Sequence, residues 1–554
     1  MKVKAITFLT MLFSMIVLSS CDPNKTTDVV PENPTPTEIV FSFSHESGFY
    51  PQSFVLEISA PGDEIYYSLD GSVPDKNATK YENGIPISNP VEYLNASNTD
   101  ISGGYHCIEE SEGQEASNYR TQFDIVDTAT VVRAIYYDEE GSPSDVITRY
   151  YKIIEGGSNP VSTVSIVTEP ASLFDYEDGI YVLGKSFADY TLNNPSYRTN
   201  TPWRWWEGNF RQKGKGWERK AELSVFEADG NKLFESACGI RVKGNVSRGF
   251  AQKSFNVYFR NEYENARFVF PNGYSAKKIT LYAASSELSK VKDKLVSELC
   301  KDLDFSVMQY LPCKLYLNGD YWGLYSITEK YDDYYVEFYY GIDRKNVIIV
   351  KEGEIEEGAD ADLDLYTQAI LFLEKEDMSD ESVYSHACSL FDMESLIDYF
   401  AVQTYINNSA GDWPRTNIAL WRAKKTSEEP YQDGKWRWML YDLNGGVPME
   451  FSRVNDDTIK YLLDNSLLFK NLWAQPDFKQ EFLQSLGKVK ELLSGAIVSD
   501  YIDDYKSEYL LELKNSFDRF FITDNKEIDD RLESIRLFFT NRESVIDYLI
   551  SLYS

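Results

Sequence analysis

The sequence has few histidines, and none lies in a catalytic pattern. Its 554 residues include three, His45, His106 and His386. None belongs to an HExxH pattern or to another spacing typical of metal ligands. Ser-His-Asp hydrolases and histidine-based zinc enzymes both depend on a correctly placed imidazole, so the sequence argues against both classes.

Basic residues are also scarce relative to acidic ones. The chain has 55 Lys and Arg against 88 Asp and Glu, which gives a formal net charge of −33. A field of this sign repels phosphate backbones and anionic lipid headgroups. We therefore expect no nucleic-acid partner, and membrane attachment has to come from something other than a basic surface.

Beyond residue 20 the sequence lacks an apolar run long enough to span a bilayer, and its cysteines form no pattern. Five cysteines follow Cys21, and they are widely spread. An odd number of scattered cysteines makes no disulfide framework and leaves at least one thiol free. We expect mostly single buried thiols at Cys107, Cys238, Cys300, Cys313 and Cys388.

The N-terminus has the pattern of an exported lipoprotein. Residues 1–20 place two lysines before an apolar run that is too short to span a membrane, and Leu18-Ser19-Ser20-Cys21 matches the bacterial lipobox. Cleavage would leave an acylated Cys21, and the Pro-rich residues 21–38 read as a tether. An uncleaved segment would also hold the protein on a membrane. We expect a lipid anchor at Cys21 in the cell envelope, at the outer membrane, with the cell surface as an open alternative.

The remaining chain is rich enough in apolar residues to build large cores. Hydrophobic residues make up 43% of the sequence and aromatic residues 15%, so global disorder is excluded. Residues 39–155 show short alternating segments separated by Gly, Pro and Asp, among them Ile65–Leu69 and Thr130–Tyr137. This pattern predicts an all-β sandwich, with residues 89–128 as an irregular excursion.

Part of this region resembles a known β-sandwich module. Residues 64–74, Tyr81, Pro86-Ile87 and residues 131–135 are similar to the chitobiase C-terminal-like domain, which accompanies envelope and carbohydrate-active proteins. Its tyrosine pairs could stack on sugars or could simply pack within the sheet. The resemblance implies a spacer or a weak glycan-binding module.

Residues 160–554 change to an α+β pattern. A strand-rich half is followed by segments with apolar residues at helical spacing, such as Met393–Asn407 and Ile459–Ser554. We expect a helix over Ser289–Asp302, followed by two further strands, Pro312–Leu317 and Gly323–Thr328, before the helical half. The predicted strands of the first half include Gly179–Leu183, Lys220–Glu227, Cys238–Lys243, Ser254–Phe259 and Lys278–Ala283.

Two segments of this unit could carry phosphate chemistry. The loop Lys243–Gly249 combines glycines with basic residues, which suits a phosphate, but a plain hairpin connection is the simpler explanation of the same residues. Asp412 and Asn417 have the five-residue spacing of a kinase catalytic loop, and Asp442 ends the next hairpin. A capped turn before a hairpin is the alternative explanation of the Asp412 segment.

Four separate motifs resemble the CotH family of spore-coat and envelope proteins. They are residues 217–220, residues 239–255, residues 315–330, and the pair of segments around Asp412 and Asp442, in order over about residues 160–550. The resemblance implies an atypical protein-kinase-like domain with a β-rich lobe and a helical lobe. It also implies transfer of phosphate from ATP to protein hydroxyls with Mg²⁺ or Mn²⁺.

The resemblance also implies roles for individual residues. Asp412 would accept the proton of the substrate hydroxyl, and Asn417 and Asp442 would hold the metal. The remaining cofactor contacts would be Lys253 and Arg248 on the phosphates and Glu329 on the strand between the lobes. Glu329 as a structural ion-pair partner remains an equal alternative.

The sequence departs from the family pattern at two places. Tyr441-Asp442-Leu443-Asn444 stands where the family reads WDLD, which replaces a carboxylate by an amide. Lys292 and Asp293 stand where the family favours Arg-Asn. The prediction is therefore an envelope-anchored Ser/Thr kinase acting on an envelope protein or on itself. The alternative is a non-catalytic pseudokinase that binds glycan or a protein partner.

Overall fold

The structure is a computed structural model that describes residues 40–62, 64–88, 127–154, 161–410, 413–448, 451–520 and 525–554. The predicted signal segment, Cys21, the tether and Asp412 lie outside these residues. Within the described ranges, no helix combines the length and the apolar character needed to cross a membrane.

The N-terminal module is built on a sheet with the strand order β2-β9-β8-β5-β6. The central strand β8 is rich in β-branched residues and buries Val131, Val132 and Ala134. Two small sheets, β1-β4 and β3-β7, contribute Phe43 and Leu56 to the same core. The strands are β1 (Ser42–Phe43), β2 (Gly48–Tyr50), β3 (Phe54–Leu56), β4 (Ile58–Ser59), β5 (Glu64–Ser68), β6 (Thr79–Lys80), β7 (Ile85–Ile87), β8 (Thr130–Tyr137) and β9 (Ile147–Ile153).

The next region is a closed barrel with the strand order β10-β11-β12-β13-β16-β18-β17. The parallel pair β10–β17 closes it, while the other neighbours are antiparallel. The barrel strands are β10 (Ser162–Val167), β11 (Arg219–Phe226), β12 (Lys232–Lys243), β13 (Ser254–Tyr258), β16 (Lys278–Tyr282), β17 (Tyr310–Leu317) and β18 (Asp320–Thr328). Between β13 and β16, β14 (Phe268–Val269) and β15 (Ser275–Ala276) pair with each other in a separate two-stranded sheet. The helices of this region are α1 (Pro170–Phe174), α2 (Gly184–Asn193), α3 (Tyr197–Asn200) and α4 (Lys292–Leu299).

Two sequence predictions in this region are wrong. Gly179–Leu183 forms turns between α1 and α2 rather than a strand, because its apolar residues pack into the barrel core without pairing to a neighbouring strand. Helix α4 begins at Lys292 rather than at Ser289. The Glu287 carboxylate accepts the N–H groups of Ser289 at 2.9 Å and Val291 at 3.2 Å, which holds a turn before the helix.

The C-terminal region combines a four-stranded sheet, β20-β19-β21-β22, with a helical body. Helix α8 lies at its centre, and every residue from Ser395 to Tyr405 is buried. The strands are β19 (Val347–Lys351), β20 (Glu354–Glu357), β21 (Ala419–Ala423) and β22 (Arg437–Met439). The helices are α5 (Asp333–Tyr340), α6 (Leu363–Lys375), α7 (Glu381–Leu390), α8 (Met393–Tyr405), α9 (Thr458–Asn465), α10 (Leu467–Leu472), α11 (Pro476–Leu492), α12 (Gly495–Phe520) and α13 (Asn525–Tyr553).

The N-terminal module packs directly on the barrel. The rings of Tyr150 and Phe226 stack with centroids 5.1 Å apart, and Arg133 forms an ion pair with Glu222 at 2.9 Å. A β-bridge also joins Thr128 to Asp320 of the barrel. The expected order, an N-terminal β-rich region followed by a mixed α/β region, is confirmed. Cys238, Cys300, Cys313 and Cys388 are free thiols, and the first three are buried.

Candidate functional site

The ends of several elements meet between the barrel and the C-terminal region. Lys243 ends β12, Tyr282 ends β16, Lys351 ends β19, and Asp293 lies in the first turn of α4. Asp442 follows β22 by three residues and has φ +56°, a left-handed conformation that non-glycine residues seldom adopt. The chain therefore turns sharply at Asp442, which brings its carboxylate into this junction.

A chain of hydrogen bonds links the two aspartates of the junction. Asn444 Nδ2 donates to Asp442 Oδ1 at 2.9 Å and to the Tyr282 hydroxyl at 3.2 Å. The Tyr282 hydroxyl donates to Asp293 Oδ2 at 3.1 Å, while Asp293 Oδ1 accepts the N–H of Leu443 at 3.0 Å. Asn444 Oδ1 is buried and has no hydrogen-bond partner among the described residues.

Burial dominates the electrostatics of the two carboxyl groups. It raises the pKa of Asp442, although the nearby Lys243 and Lys351 oppose the shift. Burial and the neighbouring charge of Asp442 raise the pKa of Asp293 to about 6. In the described part of the chain, neither carboxylate has a basic nitrogen within 4.0 Å. Two carboxylates held together in this way favour a cation between or beside them.

Two lysines face the same junction without an ion-pair partner among the described residues. Burial, assisted by the charge of Lys351, lowers the pKa of Lys243 to about 8, so its ammonium group is largely protonated at pH 7. The pKa of Lys351 is also lowered, chiefly by burial. Their ammonium groups lie 5.2 Å from the Tyr282 ring centroid and 4.2 Å from the Tyr441 ring centroid, respectively. In contrast, the neighbouring Lys330 pairs with Glu356 at 2.7 Å.

The two basic residues predicted to contact phosphates make structural contacts here. The ammonium group of Lys253 donates to the carbonyl of Phe250 at 2.6 Å and lies 4.3 Å from the ring centroid of Phe210. The guanidinium of Arg248 donates to the carbonyls of Gly244 at 2.6 Å and of Phe210 and Gln212 at 3.0 Å. Both side chains thus hold the loop that begins at Gly244, and their role toward a nucleotide stays a prediction.

Glu329 is buried in a neutral hydrogen-bond network. Its carboxylate accepts the Gln309 N–H at 2.9 Å, the Gln309 side-chain amide at 3.0 Å and the Tyr339 hydroxyl at 2.7 Å. Burial raises its pKa. In the described part of the chain no basic group lies within 4.0 Å of this carboxylate, and the role of Glu329 stays a prediction.

The hairpin that follows the predicted catalytic loop forms as expected. In the antiparallel pair β21–β22, Ala419 lies opposite Met439. Two residues further along this register, Asn417 lies at the same end of the hairpin as Asp442. The backbone carbonyl of Asn417 accepts the Tyr399 hydroxyl at 3.3 Å. Asp412 lies outside the described residues. Trp413, which follows it, is buried, and its carbonyl accepts the Tyr461 hydroxyl at 3.0 Å.

A separate acidic cluster lies on other elements. Carboxylate oxygens of Asp332, Asp333 and Glu357 lie within 4.8 Å of one another. The Lys278 ammonium is 3.0 Å from Glu357 and 3.6 Å from Asp332, and this pairing raises its pKa. The cluster already contains a positive charge, so it is the weaker candidate for a metal site.

Lys243, Lys351 and Tyr282 are not among the residues predicted for the site from the sequence. Lys243 begins the basic loop Lys243–Gly249, so the local pattern marks this region, but the resemblance assigns its phosphate contacts to Arg248 and Lys253. Lys351 and Tyr282 end ordinary strands, and no local pattern distinguishes them from other strand ends. They belong to the site only because the barrel and the four-stranded sheet bring these ends together.

Comparison with known proteins is consistent with both parts of the fold. The family model described as Fn3 associated matches residues 54–151, which covers most of the N-terminal β module. No curated protein matches the chain. The family model described as CotH kinase protein matches residues 240–546, more than half of the sequence, and includes Lys243, Asp293, Lys351, Asp442 and Asn444. That match confirms the resemblance to this family, although the motif at residues 217–220 lies before the matched range, and the chain belongs to the CotH kinase protein family.

Proposed function

We propose that this protein is an ATP- and divalent-cation-dependent protein kinase whose site is the junction around Asp442. One observation carries the proposal: Lys243 and Lys351, which have no ion-pair partner among the described residues, lie beside the partly buried carboxylate of Asp442. The chain as a whole has a net charge of −33, so a pair of cations without ion-pair partners is unexpected unless an anion binds there. In this proposal the barrel and the helical body act as the two lobes of a kinase-like domain.

Lys243 and Lys351 would bind the phosphates of the nucleotide. Both ammonium groups are partly desolvated, which strengthens their attraction for a polyphosphate relative to lysines in water. The backbone at Gly244 follows Lys243 directly with φ +117°, so the chain can approach a ligand closely there. The resemblance assigns phosphate contacts to Lys253 and Arg248, and these stay secondary candidates because they hold the same loop.

The donor set of the junction suits a hard divalent cation. Carboxylate and amide oxygens are the ligands that Mg²⁺ and Mn²⁺ prefer, and Asp442 with the amide oxygen of Asn444 or Asn417 supplies them. A cation bound there supplies charge neutralisation on the transferred phosphate. In this proposal Asp442, with Asn444 or Asn417, holds the phosphate end of the nucleotide in one orientation.

The reaction is a phosphoryl transfer to a serine or threonine hydroxyl. The hydroxyl oxygen forms a bond to the γ-phosphorus while the bond from that phosphorus to the bridging oxygen breaks, and ADP leaves. The hydroxyl proton passes to the Asp412 carboxylate in this proposal. The substrate would be an envelope protein or this protein itself, held at the outer membrane by a lipid on Cys21.

The test is incorporation of phosphate from labelled ATP by residues 22–554 with Mg²⁺ or Mn²⁺. We expect labelling by the wild type and none by Asp412→Ala, Asp442→Ala or Lys243→Met. Lys220→Met is the matched control, because Lys220 is exposed on β11 and lies outside the junction. Absence of label in the wild type, with no rise in melting temperature on adding nucleotide, would sink the kinase proposal. Binding of glycans or protein partners would then be the function to test.

A further inference from the structure

The hydrogen-bond chain Asp293–Tyr282–Asn444 has a fixed direction. A carboxylate can only accept, so Asp293 Oδ2 forces the Tyr282 hydroxyl to donate toward it at 3.1 Å. The oxygen of Tyr282 is then left as an acceptor, and Asn444 has to turn its Nδ2 toward it at 3.2 Å. The second hydrogen of the same amide donates to Asp442 Oδ1 at 2.9 Å.

This direction decides where the Asn444 amide oxygen points. With both amide hydrogens engaged by Tyr282 and Asp442, Oδ1 is the remaining polar atom of the amide, and it is buried without a hydrogen-bond partner in the described part of the chain. A buried amide oxygen of this kind is costly unless a ligand occupies it. A divalent cation is a suitable ligand, since amide oxygens coordinate hard cations.

We propose that Asp293 and Tyr282 are positioning residues of the cation site, which orient the Asn444 amide so that its oxygen and the Asp442 carboxylate serve the same divalent cation. The inference rests on the proposed cation at Asp442 and adds how this chain uses an amide there. Asp293 acts twice, because its other oxygen accepts the Leu443 N–H at 3.0 Å and fixes the backbone between Asp442 and Asn444.

The proposal predicts a specific effect of Asp293→Asn. This nearly isosteric change keeps an acceptor for the Leu443 N–H but presents an amide hydrogen to the Tyr282 oxygen. The Tyr282 hydroxyl then donates to Asn444 instead, which turns the Asn444 amide so that its nitrogen replaces its oxygen at the cation. Tyr282→Phe removes the hydroxyl between Asp293 and Asn444 but does not reverse the direction of the hydrogen bonds. Its effect on cation affinity should therefore be smaller than that of Asp293→Asn.

The experiment measures Mn²⁺ affinity of residues 22–554 by electron paramagnetic resonance of free Mn²⁺, with and without a non-hydrolysable ATP analogue. We expect Asp442→Asn to abolish binding, Asp293→Asn to weaken it at least tenfold, and Tyr282→Phe to weaken it about threefold. Asp398→Asn is the matched control, because Asp398 is a buried, hydrogen-bonded aspartate of α8 outside the junction. It should bind Mn²⁺ like the wild type.

A double variant separates positioning from general disruption. In Asp293→Asn/Asn444→Asp, a carboxylate offers an oxygen to the cation whichever way it is turned, so Mn²⁺ affinity should return to at least the wild-type value. Unchanged affinity in Asp293→Asn, or no recovery in the double variant, overturns the positioning role while leaving the cation at Asp442 in place. Absence of Mn²⁺ binding by the wild type under both conditions overturns the cation site and the positioning role together.

Discussion

The ammonium group of Lys292, in the first turn of α4, donates to the backbone carbonyl of Gly446 at 2.9 Å. Together with the bond from the Leu443 N–H to Asp293, it fixes both ends of the short loop that follows Asp442. Two consecutive residues of one helix thus hold the segment on which the proposed cation site depends.

We expect Lys292→Met to loosen this loop. The buried Gly446 carbonyl would lose the Lys292 donor, at a cost of about 1–3 kcal/mol in the free energy of unfolding. Mn²⁺ affinity should fall by severalfold because Asp442 and Asn444 lose their fixed spacing. Thermal unfolding and Mn²⁺ titration measure the two effects. Lys292→Arg, which keeps a donor, should show a smaller loss in both, and equal losses would contradict this explanation.

Nucleotide binding should depend on the charge of Lys243. Its lowered pKa of about 8 means that the side chain is charged below this pH and loses its proton above it, whereas an ordinary lysine stays charged to about 10.5. We expect affinity for a non-hydrolysable ATP analogue to be constant near pH 7 and to fall between pH 8 and pH 10. Lys243→Arg, which stays charged, should remove this fall, as measured by calorimetry at each pH. A fall that persists in this variant would assign it to another group.

The lowered pKa of Lys243 also affects the pH dependence of the free energy of unfolding. Between pH 8 and pH 10.5 the unfolded chain binds more protons at Lys243 than the folded chain does, so this residue makes the free energy of unfolding rise with pH in that interval. Comparison of the unfolding midpoints of wild type and Lys243→Met across this interval isolates the contribution. As the pH rises through this interval, the unfolding midpoint of the wild type should increase relative to that of Lys243→Met.

The contact between the N-terminal module and the barrel should contribute strongly to stability. Phe226 is completely buried between Tyr150 and Phe49, so Phe226→Ala should cost about 3–5 kcal/mol. Val55→Ala, at an exposed position of the module, is the control and should cost little. Limited proteolysis should release the module faster from Phe226→Ala than from the wild type. Equal release from both proteins would mean that the module is held by other contacts.

Arg542 of α13 should be essential for the segment that follows α8. It is fully buried and donates to the carbonyls of Thr404, Tyr405, Val454 and Asp456 and to the Thr458 hydroxyl. Lysine cannot reproduce this fork of donors, so Arg542→Lys should lower the free energy of unfolding by about 3 kcal/mol or more. Thermal unfolding measures the loss. Arg531→Lys, in a partly exposed ion pair with Glu527 on the same helix, should change the free energy of unfolding by less than about 1 kcal/mol.

The periodicity of apolar residues in the sequence predicted individual strands and helices. The alternation in Thr130–Tyr137 predicted β8, and the spacing of apolar residues in Met393–Asn407 predicted α8, because each pattern matches the period of its element. Asn417 and Asp442 could be placed at one hairpin end for the same reason. The strand predicted at Gly179–Leu183 failed because a short apolar run is equally suited to buried turns.

The sequence by itself determined the family, the order of a β-rich region before a mixed α/β region, and the hairpin that ends near Asp442. The tertiary structure alone decided which charges face that carboxylate. Lys243 and Lys351 lie on different sheets. Their ammonium groups face the same junction only because barrel closure and sheet packing bring strand ends from distant parts of the chain together. Burial then lowers the pKa of both lysines. The Asp293 carboxylate, which can only accept, fixes the direction of the hydrogen bonds through Tyr282 to Asn444, and neither effect can be read from residue types in order.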